Sequence, residues 1–435
     1  MRILAFGDDI GVPQLFRHMP ADSVVGIVCA SIRPYQQKVL RMLAKSQGVP
    51  LLIQPRATEN EYSQFLEDVR NLKPDIIFVN SYSMLLRNEI LSIPPLGGVN
   101  IHGALLPQYR GANPIQWVII NGEFETGVTM HYMDAHFDTG DILAQRRVPI
   151  LIGDTWVDLQ HRITEAAEQI LSEELPKILN NTIVRKPQDE SCAHHYHRRK
   201  PEDGLFTWDA NLINIYNLIR ALVKPHPGAF YFTGGGDRIV LDEYVSLPKL
   251  AIMKYGTEGG KTLKTINIKL QPVTDDYLEK QKEYEYGYSN ELCIENQANQ
   301  AALNQPLKVW FESILQRNDI LIFEIHLRTS GKYIGSCQLH NISLNQHTAE
   351  LQIHTGHIAE HGHEYSPQII SLLLDFAFKD LNLNRVYLHV FSNNAAAIRV
   401  YEKAGFVREG ILRQAAHIDG KYLDVMVMGI LRQEL

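Results

Sequence analysis

The chain has 435 residues, 45% of them hydrophobic, enough to bury the cores of two or three domains. A formal net charge of −7 argues against a protein built mainly to grip nucleic acid, whose phosphates call for a clustered positive surface. No apolar run approaches bilayer-spanning length, and MRILAFGDD reads as a core strand, not a secretory signal. The scattered cysteines Cys29, Cys192, Cys293 and Cys337 read as reduced thiols of a cytoplasmic protein that handles small metabolites.

From the amino terminus, the apolar runs RILAF, VVGIVCA and DIIFVN alternate with helical stretches, Gln36 to Ser46 and Asn60 to Asn71, whose apolar residues recur three and four apart. Strands separated by helices predict parallel pairing, because parallel neighbours need a crossover, and so a doubly wound α/β sheet. Ligands of such sheets lie beyond the carboxyl ends of the strands, which points to the loop after Val99-Asn100-Ile101. A long helix is expected from Asp154 to about Asn180, capped by Asp154 or Thr155.

Residues 201–256 read as a smaller appended subdomain. Its helix, Asn211 to Val223, must end before Pro225 and Pro227, and a turn at Gly234, Gly235 and Gly236 leads into the strand Arg238 to Leu241. Tyr255-Gly-Thr-Glu-Gly-Gly-Lys261 reads as a linker. From residue 262 to 435 the texture changes. LIFEIHL, YIGSCQL and AELQIHT follow one another as in an antiparallel sheet, and then comes one amphipathic helix, Gln368 to Leu381.

Asn100 and His102 are two apart, so on an extended strand they point to one side. Downstream, Asp138 in Phe137-Asp-Thr-Gly-Asp-Ile-Leu143 offers a carboxylate that could hold an imidazole tautomer. Amide, imidazole and carboxylate with no serine or cysteine nucleophile suit direct acyl transfer to an amine. Asn100 donates to the oxyanion and His102 takes the amine proton. Read singly, the same residues could be a turn asparagine, a core histidine and a capping aspartate.

Three other stretches invite chemistry. Cys192-Ala-His-His-Tyr-His197 contains metal-ligand types, but the spacing fits no closed tetrahedral pattern, so no metal is expected. Gly7-Asp-Asp-Ile-Gly11 lacks the phosphate-cradling glycine spacing and reads as a substrate loop. Arg198, Arg199 and Lys200 form a solvated face or meet a diphosphate.

NIHGALLPQYRG and GVTMHYMDAHFDTGDIL resemble the two signature segments of the folate-dependent formyltransferases. RKPEDGLFTW with IRALVKPHPGA resembles the region that follows their catalytic domain, so the resemblance covers roughly residues 1 to 250. It implies a Rossmann-like catalytic domain at 1–200 and a subdomain at 201–256. It also implies 10-formyltetrahydrofolate as donor and Asn100, His102 and Asp138 as catalytic residues. It places the cofactor against Ser83, Leu85, Leu86 and Asp141, and the substrate against Asp9, Ile10, Tyr109, Arg110 and Arg199. Ala104 stands where a serine is common, a change between small residues that shapes the loop. Within the family, methionyl-tRNA formyltransferases carry a basic RNA-binding domain that the charge and the C-terminal texture here do not match. The resemblance therefore implies a sugar-nucleotide N-formyltransferase acting on a UDP- or dTDP-linked aminodeoxy sugar for lipopolysaccharide or glycan assembly, with neither nucleic acid nor membrane as partner. The tRNA enzyme is the alternative.

RVYLHVFSNNAAAIRVYEKAGF, 385–406, resembles the GNAT acetyltransferases, which implies an α+β domain over 262–435 with Asn393 and Tyr401 near an acyl-CoA site. The turn that should cradle the pyrophosphate reads His361-Gly362-His-Glu364-Tyr-Ser366, with Glu364 in a glycine slot and Pro367 removing a donor. Weak or absent acetyl-CoA binding is expected. Homodimer assembly or the binding of a second sugar nucleotide are the other uses left open for this domain.

Overall fold

The computed structural model describes residues 1–8, 11–20, 22–257, 259–277, 279–280, 307–355, 365–418 and 420–435. The expected sites Asp9, Ile10, Gly362 and Glu364 lie outside the described residues, as does Cys293. The chain divides into two compact units, Met1–Asp203 and Gly204–Leu435.

In the first unit the short apolar runs become β1 (Ile3–Phe6), β2 (Val24–Ala30), β3 (Leu51–Gln54), β4 (Ile76–Asn80) and β5 (Gly98–His102), all paired in parallel. Two residues, Arg110–Gly111, form β6. The longer β7 (Glu125–Tyr132) and β8 (Ile142–Pro149) then join the sheet antiparallel, and His195–Tyr196 forms β9 against β6. The seven-stranded order is β3-β2-β1-β4-β5-β7-β8. The doubly wound reading thus holds through β5. It gives way at β7, which pairs antiparallel with β5, and β8 then pairs antiparallel with β7.

Helices Pro34–Ser46 and Tyr62–Asn71 fall where the periodicity predicts them. Phe65 and Val69 of the second pack with Leu4, Phe6, Ile77 and Val79 in a dry core cluster. The long helix is Trp156–Leu179. Its N-cap is Thr155, which accepts from the Asp158 N–H while Asp158 reaches back to the Thr155 N–H in a capping box.

A buried carboxylate fixes the strand ends. Asp8 Oδ1 accepts from Ala30 N at 2.9 Å and Oδ2 from Ser83 N at 2.7 Å, so the carboxyl ends of β1, β2 and β4 are tied to one side chain. The loop after β4 is thereby held over the carboxyl ends of β1 and β2.

In the second unit, helix Leu212–Ala221 and the hairpin of β10 (Ala229–Phe232) with β11 (Arg238–Leu241) form the appended subdomain. The remaining strands are β12 (Leu263–Lys264), β13 (Ile268–Pro272), β14 (Leu321–Leu327), β15 (Tyr333–Ser343) and β16 (Thr348–Thr355). β17 (Arg385–Phe391), β18 (Val407–Ile418) and β19 (Lys421–Leu431) complete an eight-stranded sheet ordered β12-β13-β14-β15-β16-β17-β19-β18. Every pairing in it is antiparallel except β16 with β17, which run parallel over three residue pairs, from Thr348↔Arg385 to Glu350↔Tyr387.

The stretch read as a linker is only partly one. Residues Met253–Thr257 continue a helix, with Lys254 and Tyr255 buried. Lys254 Nζ donates to Asp380 and, at 2.7 Å, to the Ala210 carbonyl, while the Leu212 N–H also meets Asp380 Oδ1 at 3.3 Å. Leu247 N donates to Asn318 Oδ1 at 2.9 Å, and Tyr255 stacks edge-on against Phe376 at 5.7 Å. The subdomain is therefore seated on the eight-stranded sheet, and the chain after it is not a free tether.

Candidate active site

β5 and β7 lie side by side with Asn100 opposite His131. Alternation puts Asn100 and His102 on one face, and the turn between β7 and β8 brings Asp138 back to them. Asp138 takes a left-handed backbone, φ +58°, a conformation aspartate tolerates better than most residues. Its Oδ1 lies 3.4 Å from Asn100 Nδ2 and its Oδ2 lies 3.6 Å from His102 Nδ1. The three residues expected to carry the chemistry are thus brought together.

The imidazole tautomers follow from their partners. His102 Nε2 is 2.6 Å from the Tyr109 carbonyl, which can only accept, so Nε2 bears a proton; Nδ1 faces Asp138, carrying the lone pair in the neutral ring and a proton directed at the carboxylate in the imidazolium. His131 Nδ1 donates in the same way to the Tyr132 carbonyl at 2.8 Å, which leaves Nε2 to accept from Asn100 Nδ2 at 3.1 Å. His131 is a member of the site that the sequence reading missed. Thr129 and His131, polar and buried on alternate positions around Met130, were its signal.

Burial alone would raise the Asp138 carboxyl. The positive charge of His102 and His131 when they are protonated, and the Gly111 N–H, which donates to Oδ2 at 2.9 Å, outweigh it and hold the group well below the ordinary carboxylate range. Gly111 can do this only as glycine: its φ is +100°, and a Cβ there would fall 2.3 Å from the Tyr196 carbonyl. We expect Gly111→Ala to shift β6 off Asp138, lowering stability by about 1–3 kcal/mol in thermal unfolding and turnover at least tenfold. An alanine variant with native stability and turnover would show that the close approach is unimportant.

The loop Gly103–Tyr109 is pinned to β7. Thr129 Oγ1 donates to the Ala104 carbonyl at 2.7 Å, and Leu106 N donates to Thr129 Oγ1 at 3.0 Å. Ala104 is fully buried, so a small residue there serves the packing of the loop.

Several expected contacts have other partners. Arg110, 1% exposed, is consumed by Gln188 Oε1, at 3.1 and 2.8 Å, and by both oxygens of Glu190, at 3.0 and 2.7 Å. The guanidinium expected to contact the substrate is thus engaged by the segment that carries Gln188 and Glu190. The Tyr109 hydroxyl donates to Glu123 at 2.6 Å and its ring stacks on Tyr196 at 4.9 Å, so its carbonyl is the part that serves the site. Ser83 is tied on several sides: its N–H goes to Asp8, its hydroxyl accepts from Arg33 at 2.8 Å and its carbonyl from Arg198 at 3.1 Å, which leaves the hydroxyl its O–H to donate. Leu86 belongs to the core cluster, whereas Leu85 is exposed at the same strand end and Asp141 is half-buried at the start of β8. Arg199 is half-buried over the Trp117 ring, 5.2 Å away, with Nη1 buried and lacking a hydrogen-bond partner among the described residues. Burial lowers its guanidinium from the usual value.

Cys192, His194 and His197 have separate partners. The thiol lies 3.8 Å from Asp189 Oδ2, His194 Nδ1 meets the Cys192 carbonyl, and His197 Nε2 meets Asp203 at 3.2 Å. Among the described residues no three His, Cys, Asp or Glu side chains converge as a metal cage would.

In the second unit Ser366 stands in the first turn of helix Tyr365–Asp375 and Asn393 is exposed before helix Ala395–Lys403. That helix is capped by the next residue, Asn394, whose side chain accepts from Ala397 N at 3.1 Å. Tyr401 packs on Phe406 at 5.8 Å.

Residues 17–175 match the formyl transferase family model, residues 198–259 the model of the formyl transferase C-terminal domain, and residues 273–407 the acetyltransferase (GNAT) domain. Solved structures similar to the chain include a sugar N-formyltransferase from a Shewanella species, at 18% identity over 56% of this chain and 97% of that one, with a TM-score of 0.47. An N-formyltransferase from Helicobacter canadensis, in complex with folinic acid and dTDP-3-aminofucose, matches at 22% over 51% and 80%, TM-score 0.41. A spermidine N-acetyltransferase from Vibrio cholerae, in complex with CoA and spermine, matches at 26% over 38% and 96%, TM-score 0.32.

Proposed function

We propose that this chain, which carries a formyl transferase domain, its C-terminal companion domain and a GNAT acetyltransferase domain, formylates the primary amine of a nucleotide-linked amino sugar. The observation that carries the reading is the cluster of Asn100, His102 and Asp138. It presents an imidazole lone pair beside a buried carboxylate, with no side-chain nucleophile in the trio.

A 10-formyl folate bound beside the cluster would supply a formyl carbon already activated toward amines. The residues present fit such a donor: Leu85 offers an exposed apolar face, Asp141 an acceptor for ring N–H groups and Ser83 a hydroxyl that can still donate. His102 Nδ1 receives the proton of the attacking amine, the resulting imidazolium stands beside Asp138, and it can return that proton to the donor nitrogen that leaves when the tetrahedral adduct collapses. Asn100 directs both amide hydrogens inside the cluster at rest. The longer of its two contacts, 3.4 Å to Asp138, is the one a negatively charged carbonyl oxygen displaces.

The choice of a sugar nucleotide over charged RNA rests on two features. The net charge of −7 gives no basic track, and the unsatisfied Arg199 guanidinium is a single, placed partner for a diphosphate. Mass spectrometry of products from a panel of UDP- and dTDP-amino sugars with 10-formyltetrahydrofolate tests the reading. Faster formylation of methionyl-tRNA than of every sugar would overturn it. Arg199→Ala should raise the sugar-nucleotide KM about tenfold with kcat little changed, and an unaltered KM would remove Arg199 from the site.

A further inference from the structure

The segment from Arg185 to Glu190 contributes none of the three catalytic side chains, yet it is firmly attached to the strands that bear them. Lys186 exchanges backbone hydrogen bonds with Ile142 of β8 at 2.8 and 2.9 Å, and the Arg185 guanidinium lies 3.7 Å over the Tyr132 ring. So anchored, the Gln188 side chain reaches the turn that carries Asp138. Its Nε2 donates to the Asp138 carbonyl at 2.8 Å and to the Gly140 carbonyl at 2.7 Å. Its Oε1 accepts from Arg110 Nε and Nη2, and Arg110 immediately precedes Gly111, whose N–H holds the Asp138 carboxylate. One amide thus grips both the turn that bears the carboxylate and the strand that receives it.

Resting on the formyl-transfer reading above, we propose that Gln188 is a positioning residue for that reaction, fixing the Asp138 carboxylate against His102. The turn needs such a clamp. Asp138 is left-handed, and Gly140 passes so close to β7 that a Cβ would fall 2.0 Å from the Tyr132 carbonyl. Two carbonyls of this tight turn converge on one side, and a donor pair is what satisfies them together. Only an amide can donate twice there while accepting from Arg110 on its other atom. A displacement of the carboxylate by about 1 Å is enough to cost turnover heavily.

The test is kinetic, on the full chain. Gln188→Glu keeps the acceptor for Arg110, and with it any purely structural link, but loses both donors and sets a negative charge against two carbonyls. We expect kcat to fall about tenfold to a hundredfold, with the KM for donor and acceptor within about threefold of wild type. Gln188→Met, similar in length and unable to hydrogen-bond, should behave alike and serves if circular dichroism shows the glutamate variant unfolded. A folded variant with wild-type kcat overturns the proposal. So does loss of the fold in both variants, since the clamp would then serve folding alone. Failure of the wild-type chain to release tetrahydrofolate with any amine would strike the formyl-transfer reading itself, and is told apart by that control.

Discussion

His102→Ala is expected to lower kcat by about two to four orders of magnitude, with the KM values within about threefold. Three observations set the size of the effect. The Nδ1 lone pair is the one imidazole nitrogen left for an incoming proton, because the Tyr109 carbonyl consumes Nε2. His131, the neighbouring imidazole, cannot substitute: its Nδ1 proton is held by the Tyr132 carbonyl and its Nε2 by Asn100. Water could carry the proton away, but without the Asp138 charge fixed beside it. The barrier should therefore rise by roughly 3–5 kcal/mol. Asp138→Asn should come close to the same loss, since an amide of equal shape no longer supports an imidazolium. The measurement is tetrahydrofolate release at saturating substrates, with circular dichroism as the folding control. Turnover of His102→Ala within a factor of about five of wild type would show that another group takes the proton.

Asp380→Ala should destabilise the second unit by about 3–5 kcal/mol. Lys254 is buried with only 5% of its side chain exposed, and its ammonium is paired with Asp380. The same carboxylate accepts the Leu212 N–H, and with burial it pushes the Tyr255 phenol well above its usual value. Removing it strands a buried cation, a backbone donor and a hydroxyl at once. Most of the cost is that of the abandoned charge, so a paired change, Lys254→Met with Asp380→Leu, should recover much of the loss. Urea unfolding of the three chains measures this. Equal midpoints for wild type and Asp380→Ala would mean that water reaches the lysine and the pair is ornamental.

Much of the fold is legible in the sequence because it rests on patterns that survive without tertiary context. Alternating apolar runs and amphipathic helices foretell β1, β2 and β4, and the Thr155 capping signal marks the start of the long helix. Asn100 and His102 can be paired by strand alternation alone. Asp138 cannot, because a turn and not a period delivers it, and only the signature segment ties it to the other two. The partners of Arg110 are not legible in the sequence: arginines are seldom buried, and nothing in the pattern pairs this one with Gln188 and Glu190, some eighty residues away. Gln188 leaves no trace at all, since it lies in a polar coil stretch where a glutamine is unremarkable until the turn it holds is in view.

The family boundary and the physical boundary do not coincide. The formyl transferase C-terminal domain ends by homology at residue 259, but its helices and hairpin share a compact unit with the acetyltransferase-type sheet, beginning at Gly204. Modular exchange of this protein therefore has a preferred seam. A chimera that swaps everything from Gly204 onward transplants an intact body, whereas one joined near residue 260 must rebuild a partner for Lys254 and a cover for Leu247, Leu250 and Tyr255. Recombination between relatives with different C-terminal domains meets the same constraint. The small subdomain should travel with the sheet it rests on, or co-vary with it at Asp380, Asn318 and Phe376.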